Sequence, residues 1–508
     1  MGSSVSTMPS FPSSSIASSC ISKPPPTSLL SRFTLLSPRA WFTSFARNSI
    51  CSALQQVITI GYLEIDDTDG KTYCFGNYSD GCNDVTIKVV NDDFWSRVLL
   101  SNDLGVSEAY IFGEIHISSL KGLMDLWLDN EQGMASLSSS LASIASTFSS
   151  LFNAFFGQTK WRARANVIAS YDQSNDLFKA FLSKEMMYSC ALWGPEEGGV
   201  RGDLLNTETE PSDCSDLEAA QIRKIHYVLK RARARPGCRL LEFGSGWGGL
   251  SIIAARDYGC TVDTLTLSIE QKSLADERIR LAGLEDHITV HLMDYRDALD
   301  KKEWEKAFDA FVSVEMVEHV GTKHYKEYFR VIDYALKSSN AAAVVTASTF
   351  PESRYTGYQA DDFMRRYMWP NSCLPSVKAL TNAAQSASQG RFTLETVEDH
   401  STHYPRTLRT WSRRLESSFS SLHPSLSRDF PSLALPQEYE AFKRKWRYFF
   451  EYAGAGFEKG WITCHMLVFV RERHWSVGCN FFAAKASVFR HECFSDEQGG
   501  PAILYPTS

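Results

Sequence analysis

The stretch Arg239-Leu-Leu-Glu-Phe-Gly-Ser-Gly-Trp-Gly-Gly-Leu250 constrains the fold more than any other part of the chain. Leu240 to Phe243 is a short apolar run bounded by turn residues, the pattern of a buried strand. Gly244, Gly246 and Gly248 then permit a sharp backbone turn and close approach of a ligand, because they carry no Cβ. Leu250, Ile252, Ile253 and Ala254 resume at helical spacing. The glycines therefore sit at a strand-to-helix turn. In a doubly wound sheet, that turn binds nucleotides at the carboxyl ends of the strands.

The residues further on narrow the ligand. A dinucleotide site wants an acidic residue about twenty positions later, at the end of the second strand. Here that strand, Thr261 to Leu267, ends in Thr266, Leu267 and Ser268, without a carboxylate. The spacing Glu-x-Gly-x-Gly-x-Gly, opening at Glu242, is typical of S-adenosylmethionine enzymes instead. Asp294 follows a third strand, Ile288 to Leu292, where methyltransferases commonly place an acidic side chain facing the adenine amine. Tyr295 stands beside it and joins the candidate cofactor set. Further strands at Ala307 to Val314 and Ala342 to Thr346, separated by a helix from Tyr325 to Leu336, imply a mostly parallel sheet. Aromatic-rich helices at Asp361 to Tyr367, Leu408 to Phe419 and Tyr439 to Ala455 are expected to cover its substrate side.

The 508 residues have the length of two or three domains. A net charge of −7 argues against a general nucleic-acid binder. The twelve cysteines form no C-x-x-C pair, so neither a zinc site nor a disulfide framework is indicated, and a reducing compartment is expected. Residues 1–52 hold no acidic residue and read as a disordered or targeting segment; a mitochondrial transit segment has this composition. The opening Met1-Gly-Ser-Ser-Val-Ser6 also fits the loose myristoylation pattern.

Residues 53–130 alternate in short apolar runs: Gly61 to Ile65, Thr72 to Phe75 and Val85 to Val90, with a hairpin-type turn at Asp69-Gly70. With Phe94 to Leu100, Ala109 to Glu114 and a helical Leu120 to Leu128, they make a small α+β domain. Residues 131–160 read as a linker helix whose apolar stripe runs through Leu137, Leu141, Ile144, Phe148, Leu151 and Phe155. The main domain spans 161–474. Within it, an acidic loop from Gly194 to Asp216 has the length of a lid. Residues 475–508 carry no clear periodicity and no assignment.

Six strings stand in order: Tyr188-Ser-Cys-Ala-Leu-Trp193, Glu242-Phe-Gly-Ser-Gly-Trp-Gly-Gly249, Leu267-Ser-Ile-Glu-Gln271, Glu315-Met-Val-Glu-His319, Trp369-Pro-Asn-Ser-Cys-Leu-Pro-Ser376 and His403-Tyr404. With them the chain resembles the cyclopropane-fatty-acyl-phospholipid and mycolic acid cyclopropane synthases over roughly residues 160 to 472. The resemblance implies a Rossmann-like class I methyltransferase sheet with a helical substrate cover, preceded by a small α+β lipid-engaging and dimerisation domain. It also implies S-adenosylmethionine as methyl donor, an unsaturated acyl chain of a membrane phospholipid as substrate, and a bound bicarbonate ion as proton acceptor. Peripheral membrane association in the cytoplasm and a homodimer are expected with it.

Carried over by residue, Gly244 and Gly246 approach the amino-acid end of the cofactor. Thr266, Leu267 and Gln271 line its ribose and nearby chain, and Tyr188 and Ser189 close over it. Cys190, Glu318 and Tyr404 match the bicarbonate site. The chain departs from the bacterial pattern at Thr346, where those members have a histidine, and at Ser348, where they have isoleucine. A hydroxyl can donate a hydrogen bond but cannot supply the charge of an imidazolium.

That departure leaves methyl branching of the acyl chain as an alternative to ring formation. Sphingolipid C-methylation is a further reading, although such enzymes usually add membrane spans that this chain lacks. An N-methyltransferase of the coclaurine type, with Glu318 and His319 orienting or deprotonating an amine, is another. A non-catalytic lipid-binding protein with a decayed methyltransferase domain is the reading from a different class.

Overall fold

A computed structural model describes residues 38–78, 84–133, 174–205 and 215–471. The apolar stripe of the linker, residues 206–214 of the acidic loop and the tail from 472 onward lie outside these residues. The first unit comprises α1 (Pro38–Val57), β1 (Tyr62–Asp66), β2 (Thr72–Gly76), β3 (Asp84–Val89), α2 (Asp93–Phe112), β4 (Ile115–Ile117) and α3 (Leu120–Asp129). Its sheet runs β2-β1-β3-β4, with β1 parallel to β3 and the other pairs antiparallel. Period-two alternation sends Leu63, Ile65, Val85 and Ile87 to one face. There they meet Phe94, Trp95, Val98 and Leu99 of α2 and the inner faces of α1 and α3.

One detail differs from the sequence reading. Residues 38–52, expected within a disordered or targeting segment, belong to α1, and Phe42, Ala46 and Ile50 are buried in the unit's core. Ala109 to Phe112, to which the sequence reading gave no type, belongs to helix α2. That helix is interrupted at Asn102, whose φ of 49° and ψ of −126° lie outside the helical region.

The second unit is built on a seven-stranded sheet: β5 (Arg239–Phe243), β6 (Thr261–Thr266), β7 (Ile288–Leu292), β8 (Ala310–Val314), β9 (Ala342–Thr349), β10 (Thr393–Asp399) and β11 (Thr463–Val470). The order is β10-β11-β9-β8-β5-β6-β7. Five strands are parallel, and β11 runs antiparallel between β9 and β10. This is the class I methyltransferase topology. Strands β5, β8 and β9 are almost wholly buried, as parallel strands covered on both faces must be. The chain leaves β5 toward β6 and β7, then returns to β8 on the other side. The switch point, where doubly wound sheets bind ligands, therefore lies between the carboxyl ends of β5 and β8.

Helices α4 (Asn175–Phe181), α5 (Ser215–Arg231), α6 (Gly249–Tyr258), α7 (Ile269–Leu281), α8 (Tyr325–Ala335) and α9 (Val377–Ser388) flank the sheet. The long α10 (Tyr404–Asp429) and α11 (Pro436–Glu458) form the helical cover, with a π-helical turn at Met364–Met368. The first unit docks on this cover. The hydroxyl of Tyr367 donates to Glu108 at 2.9 Å, Arg444 donates to the Ile111 carbonyl at 3.1 Å, and Lys459 pairs with Asp129 at 2.7 Å. No described helix is long and apolar enough to cross a membrane.

The described part of the acidic loop is fastened to the cover. Asp203, with a fully buried side chain, pairs with Arg409 at 2.8 Å and Arg413 at 3.1 Å, and Glu197 pairs with Arg223 at 2.7 Å.

Candidate active site

The glycine turn follows β5 directly. Gly244, Gly246 and Gly248 have φ of 83°, 49° and 82°, in the left-handed region that favours glycine. The amides of Gly244 and Ser245 both donate to the Leu265 carbonyl, at 3.1 and 2.7 Å, which folds the turn over the end of β6. A Cβ on Gly246 would point into open space, whereas one on Gly244 would stand 3.2 Å from the Met316 side chain. The turn thus offers an open backbone cradle on one side and touches the Glu315–Glu318 connection on the other. Its residues fit the amino-acid end of S-adenosylmethionine. Thr266 ends β6, its hydroxyl donating to Gln271 at 2.8 Å, and Leu267 beside it is 71% exposed. An apolar side chain left open at the carboxyl edge of a sheet suits a ribose and its attached chain.

The other expected cofactor residues already have partners within the protein. Glu242 is buried, and its Oε2 accepts hydrogen bonds from the hydroxyls of Ser251 and, at 2.7 Å, Thr264. Burial pushes its pKa up to about 7, although both hydroxyls act against the rise. Tyr295 packs its ring on Phe243 and Tyr328. The hydroxyl of Ser189 accepts from Lys224 at 2.5 Å. Asp294 is half-buried, and Arg296 donates to it from the backbone at 2.9 Å and from its guanidinium at 2.7 Å. Those bonds hold the Asp294 carboxyl below its usual range. Tyr188 stands in an aromatic cluster with Phe178, Trp369 and Trp411.

The chemistry gathers at the end of β8. Glu315, in a left-handed conformation with φ of 50°, turns its carboxylate toward Cys190 and Tyr404. The Cys190 amide donates to Oε1 at 2.9 Å and the Tyr404 hydroxyl to Oε2 at 2.5 Å. Burial raises the Glu315 pKa; these two donors and the charge of Lys224 oppose it. Glu318 is 6% exposed. Its Oε1 accepts from the Ser348 amide at 2.6 Å, and its Oε2 is buried without a hydrogen-bond partner. Burial, and then the neighbouring Glu315 charge, push the Glu318 carboxyl up to about 8. A buried carboxyl with one unsatisfied oxygen is costly unless a ligand completes it.

Glu318 is one of the residues that line a cavity of about 540 Å³, within the size range of small-molecule sites. Around the two glutamates its walls are aromatic: Tyr188, Trp369, Tyr404, Trp411, Phe449 and Phe457. Tyr404 and Phe457 stack with centroids 4.1 Å apart. His319 lines the same cavity, and desolvation lowers its pKa.

The structure therefore brings Tyr188, Glu318, His319 and Tyr404 around one chamber, while Cys190 reaches it only through its amide bond to Glu315. It adds two residues that sequence reasoning did not single out, Glu315 and Lys224. Lys224 is fully buried, and desolvation lowers its ammonium pKa to about 8, with Glu315 as the first of the charges opposing the shift. A signal for it exists in the sequence: Ala220, Lys224 and Val228 share one face of α5, placing a lysine on an apolar stripe.

At the departure from the bacterial pattern, Thr346 Oγ1 accepts from the Glu315 amide at 3.2 Å. The nearby His465 does not replace the missing imidazole. It pairs with Ala347 in register and meets Thr349 at 2.7 Å, on the opposite face of the sheet from Thr346.

Sheet order, glycine cradle and apolar reaction chamber define an S-adenosylmethionine-dependent methyltransferase of class I fold. Comparison with known proteins places it more narrowly. The family model for mycolic acid cyclopropane synthetase matches residues 158–467. The cyclopropane-fatty-acyl-phospholipid synthase of Escherichia coli K12 is 32% identical over 390 residues, 76% of this chain and 87% of the relative. A tuberculostearic acid methyltransferase of Mycobacterium tuberculosis is 33% identical over 315 residues, 61% of this chain and 66% of the relative. The solved cyclopropane synthase MmaA2 of Mycobacterium tuberculosis is 20% identical, covering 61% of this chain and 98% of its own, with a TM-score of 0.45. The chain belongs to the mycolic acid cyclopropane synthetase family.

Proposed function

We propose that the enzyme adds a methylene bridge across the double bond of an unsaturated phospholipid acyl chain. The observation that carries this reading is the buried, half-satisfied carboxyl of Glu318 inside an aromatic cavity next to the glycine turn. An alkene is a weak nucleophile and must be held in line with its electrophile in a dry site. S-adenosylmethionine supplies the electrophilic methyl group, held by Gly244, Gly246, Thr266, Leu267 and Gln271.

Once the alkene carries the added methyl it is a carbocation. The faces of Trp369, Trp411, Tyr404 and Phe457 stabilise that charge and keep water away. Loss of a proton from the added methyl returns its C–H electron pair to the cationic carbon and closes the ring. Glu318 is the final acceptor, and a pKa near 8 suits a base that works close to neutrality.

Bicarbonate is proposed as the carrier between cation and Glu318. Its donors would be the Tyr404 hydroxyl and the Cys190 amide, which in this structure both serve Glu315. The lipid is proposed to be taken from a bilayer by peripheral contact, and the working unit to be a homodimer.

The second reading, methyl branching, rests on Thr346. With its hydroxyl engaged by the Glu315 amide, this position supplies no cation to fix an anionic base. Proton loss from a neighbouring chain carbon would then leave an alkene, for reduction by another enzyme. The deciding test is expression in a bacterium lacking its own cyclopropane synthase, followed by mass analysis. A fatty acid one methylene heavier that survives mild hydrogenation supports the ring. A product that hydrogenates to a branched chain supports branching, and no new lipid despite cofactor binding defeats both.

A further inference from the structure

The cavity that holds Glu318 does not end in the methyltransferase unit. The same void continues into the first unit, where Leu54, Leu63, Ile65, Ile87, Phe94 and Val98 line it. These six side chains belong to that unit's buried core, so this lobe is a dead end. Between the two apolar lobes lies a polar waist: Asn102 and Asp103 from α2, and Arg354, Gln359, Asp362 and Arg365 from the segment after β9. The waist reaches the surface, because Tyr358 on its rim is 82% exposed. Two of its buried polar atoms, Asn102 Oδ1 and Arg365 Nε, have no hydrogen-bond partner. The helical break at Asn102 falls at this point.

Resting on the reading of the substrate as a phospholipid, we propose that the first unit houses the second acyl chain. The unsaturated chain occupies the aromatic lobe, the saturated chain fills the lobe lined by Leu63, Ile87 and Val98, and the headgroup sits at the waist. The shape decides this against a single chain threading both lobes. Such a chain would begin or end with its polar group in an apolar dead end, and would draw its methylenes past the polar waist. A forked ligand puts each part in matching surroundings. The phosphate meets Arg365, whose Nε has no partner, while Arg354 beside it is held by Glu131 and by the carbonyl and ring of Trp461. Asp103 and Asp362 face the same waist, and burial raises the pKa of each, favouring the uncharged form. The first unit is on this account a substrate-binding half of the enzyme, and the substrate class is diacyl lipids.

The test compares a diacyl phospholipid with the lysophospholipid carrying the same cis-unsaturated chain, both in detergent micelles. A buried tail of many methylenes predicts a kcat/KM at least about tenfold higher for the diacyl lipid, expressed mainly in KM. Val98→Phe and Leu63→Phe, which fill the far lobe, should lower that ratio toward one. Lysophospholipid turnover in the same variants reports whether they fold.

A second measurement does not depend on turnover. A phospholipid with a diazirine at the end of its saturated chain, photolysed on the wild-type enzyme, should label residues 54–98. Equal wild-type kcat/KM for the two lipids, or labelling confined to residues 404–457, would overturn the proposal. Labelling of residues 54–98 by a diazirine at the end of the unsaturated chain would instead show one threaded chain. Labelling of the first unit with no methylation of any acyl lipid would sink the catalytic reading while leaving the binding site standing.

Discussion

Two carboxyls sit at the ends of neighbouring parallel strands, Glu242 on β5 and Glu318 just beyond β8. Both are buried, and burial lifts both toward or past neutrality, to about 7 and about 8. Their surroundings differ. Glu242 receives two hydroxyls on one oxygen and tethers β5 to β6 and α6. Glu318 has a backbone amide on one oxygen, and its other oxygen has no partner, in a residue that lines a cavity. A raised pKa reports burial and neighbouring charge, and both can act on a carboxyl that does no chemistry. What separates a scaffold carboxyl from a reacting one is whether the hydrogen-bond accounting closes without a ligand.

The largest expected effect breaks this pair apart. Glu318→Gln keeps shape and burial but cannot take a proton, so kcat should fall by about 10²–10⁴. Calorimetric affinity for S-adenosylhomocysteine should stay unchanged, because the glycine cradle is intact. In the wild type, turnover should rise with pH through about 8 as Glu318 ionises. Normal turnover in Glu318→Gln would remove this residue from the chemistry.

Next in size is Tyr404→Phe. It deletes the donor to Glu315 Oε2 while keeping the ring stacked on Phe457. Without that donor the Glu315 carboxyl rises further, and turnover should fall about tenfold or more, as expected for losing a hydrogen bond to a charged group. Bicarbonate dependence should weaken as well, which titration of bicarbonate into carbonate-free buffer would show. Lys224→Met should act in the same direction but more gently, since Lys224 reaches Glu315 only through its charge. A few-fold loss of kcat/KM is the expected result.

Much of the sheet was legible in the sequence, β5, β8 and β9 because parallel strands buried on both faces read as near-continuous apolar runs. Ile288–Leu292 matches its expected bounds, and the strand at Thr261 is one residue shorter than expected. The last two strands were not legible. Thr393–Asp399 is an edge strand with most side chains in solvent, so it lacks the apolar signature. Thr463–Val470 follows directly on an aromatic helix and merges with it in composition. Helix α10 runs past its expected end at Phe419 and accommodates Pro424, normally a breaker, inside it.

In the site, the family resemblance pointed to Glu318, Cys190 and Tyr404; residue type alone would have left Cys190 and Tyr404 as core side chains. Glu315 stands in the same string but shows its part only in three dimensions. A left-handed turn aims it at a tyrosine 89 positions away. Conversely, Glu242 looks like a ligand-facing acid in sequence because nothing local reveals that Ser251 and Thr264 will claim it.

The smallest effect sharpens the comparison from the scaffold side. Both hydrogen bonds of Glu242 fall on one oxygen, so the amide oxygen of Glu242→Gln can accept both. The folded pKa, about 7, lies above the ordinary 4.5 of an unfolded glutamate. Below pH 4.5 the carboxyl is protonated in both states and its contribution to stability is complete. As pH rises from there through about 7, the unfolded chain releases a proton that the folded one retains, and stability falls. The total loss is on the order of 3 kcal/mol and stays constant at higher pH. Glutamine titrates in neither state. Glu242→Gln should therefore melt with the wild type near pH 4.5 and several degrees above it at pH 8, with turnover little changed. A melting difference independent of pH would mean that Glu242 stays ionised in the folded enzyme, its charge met by something other than the two hydroxyls.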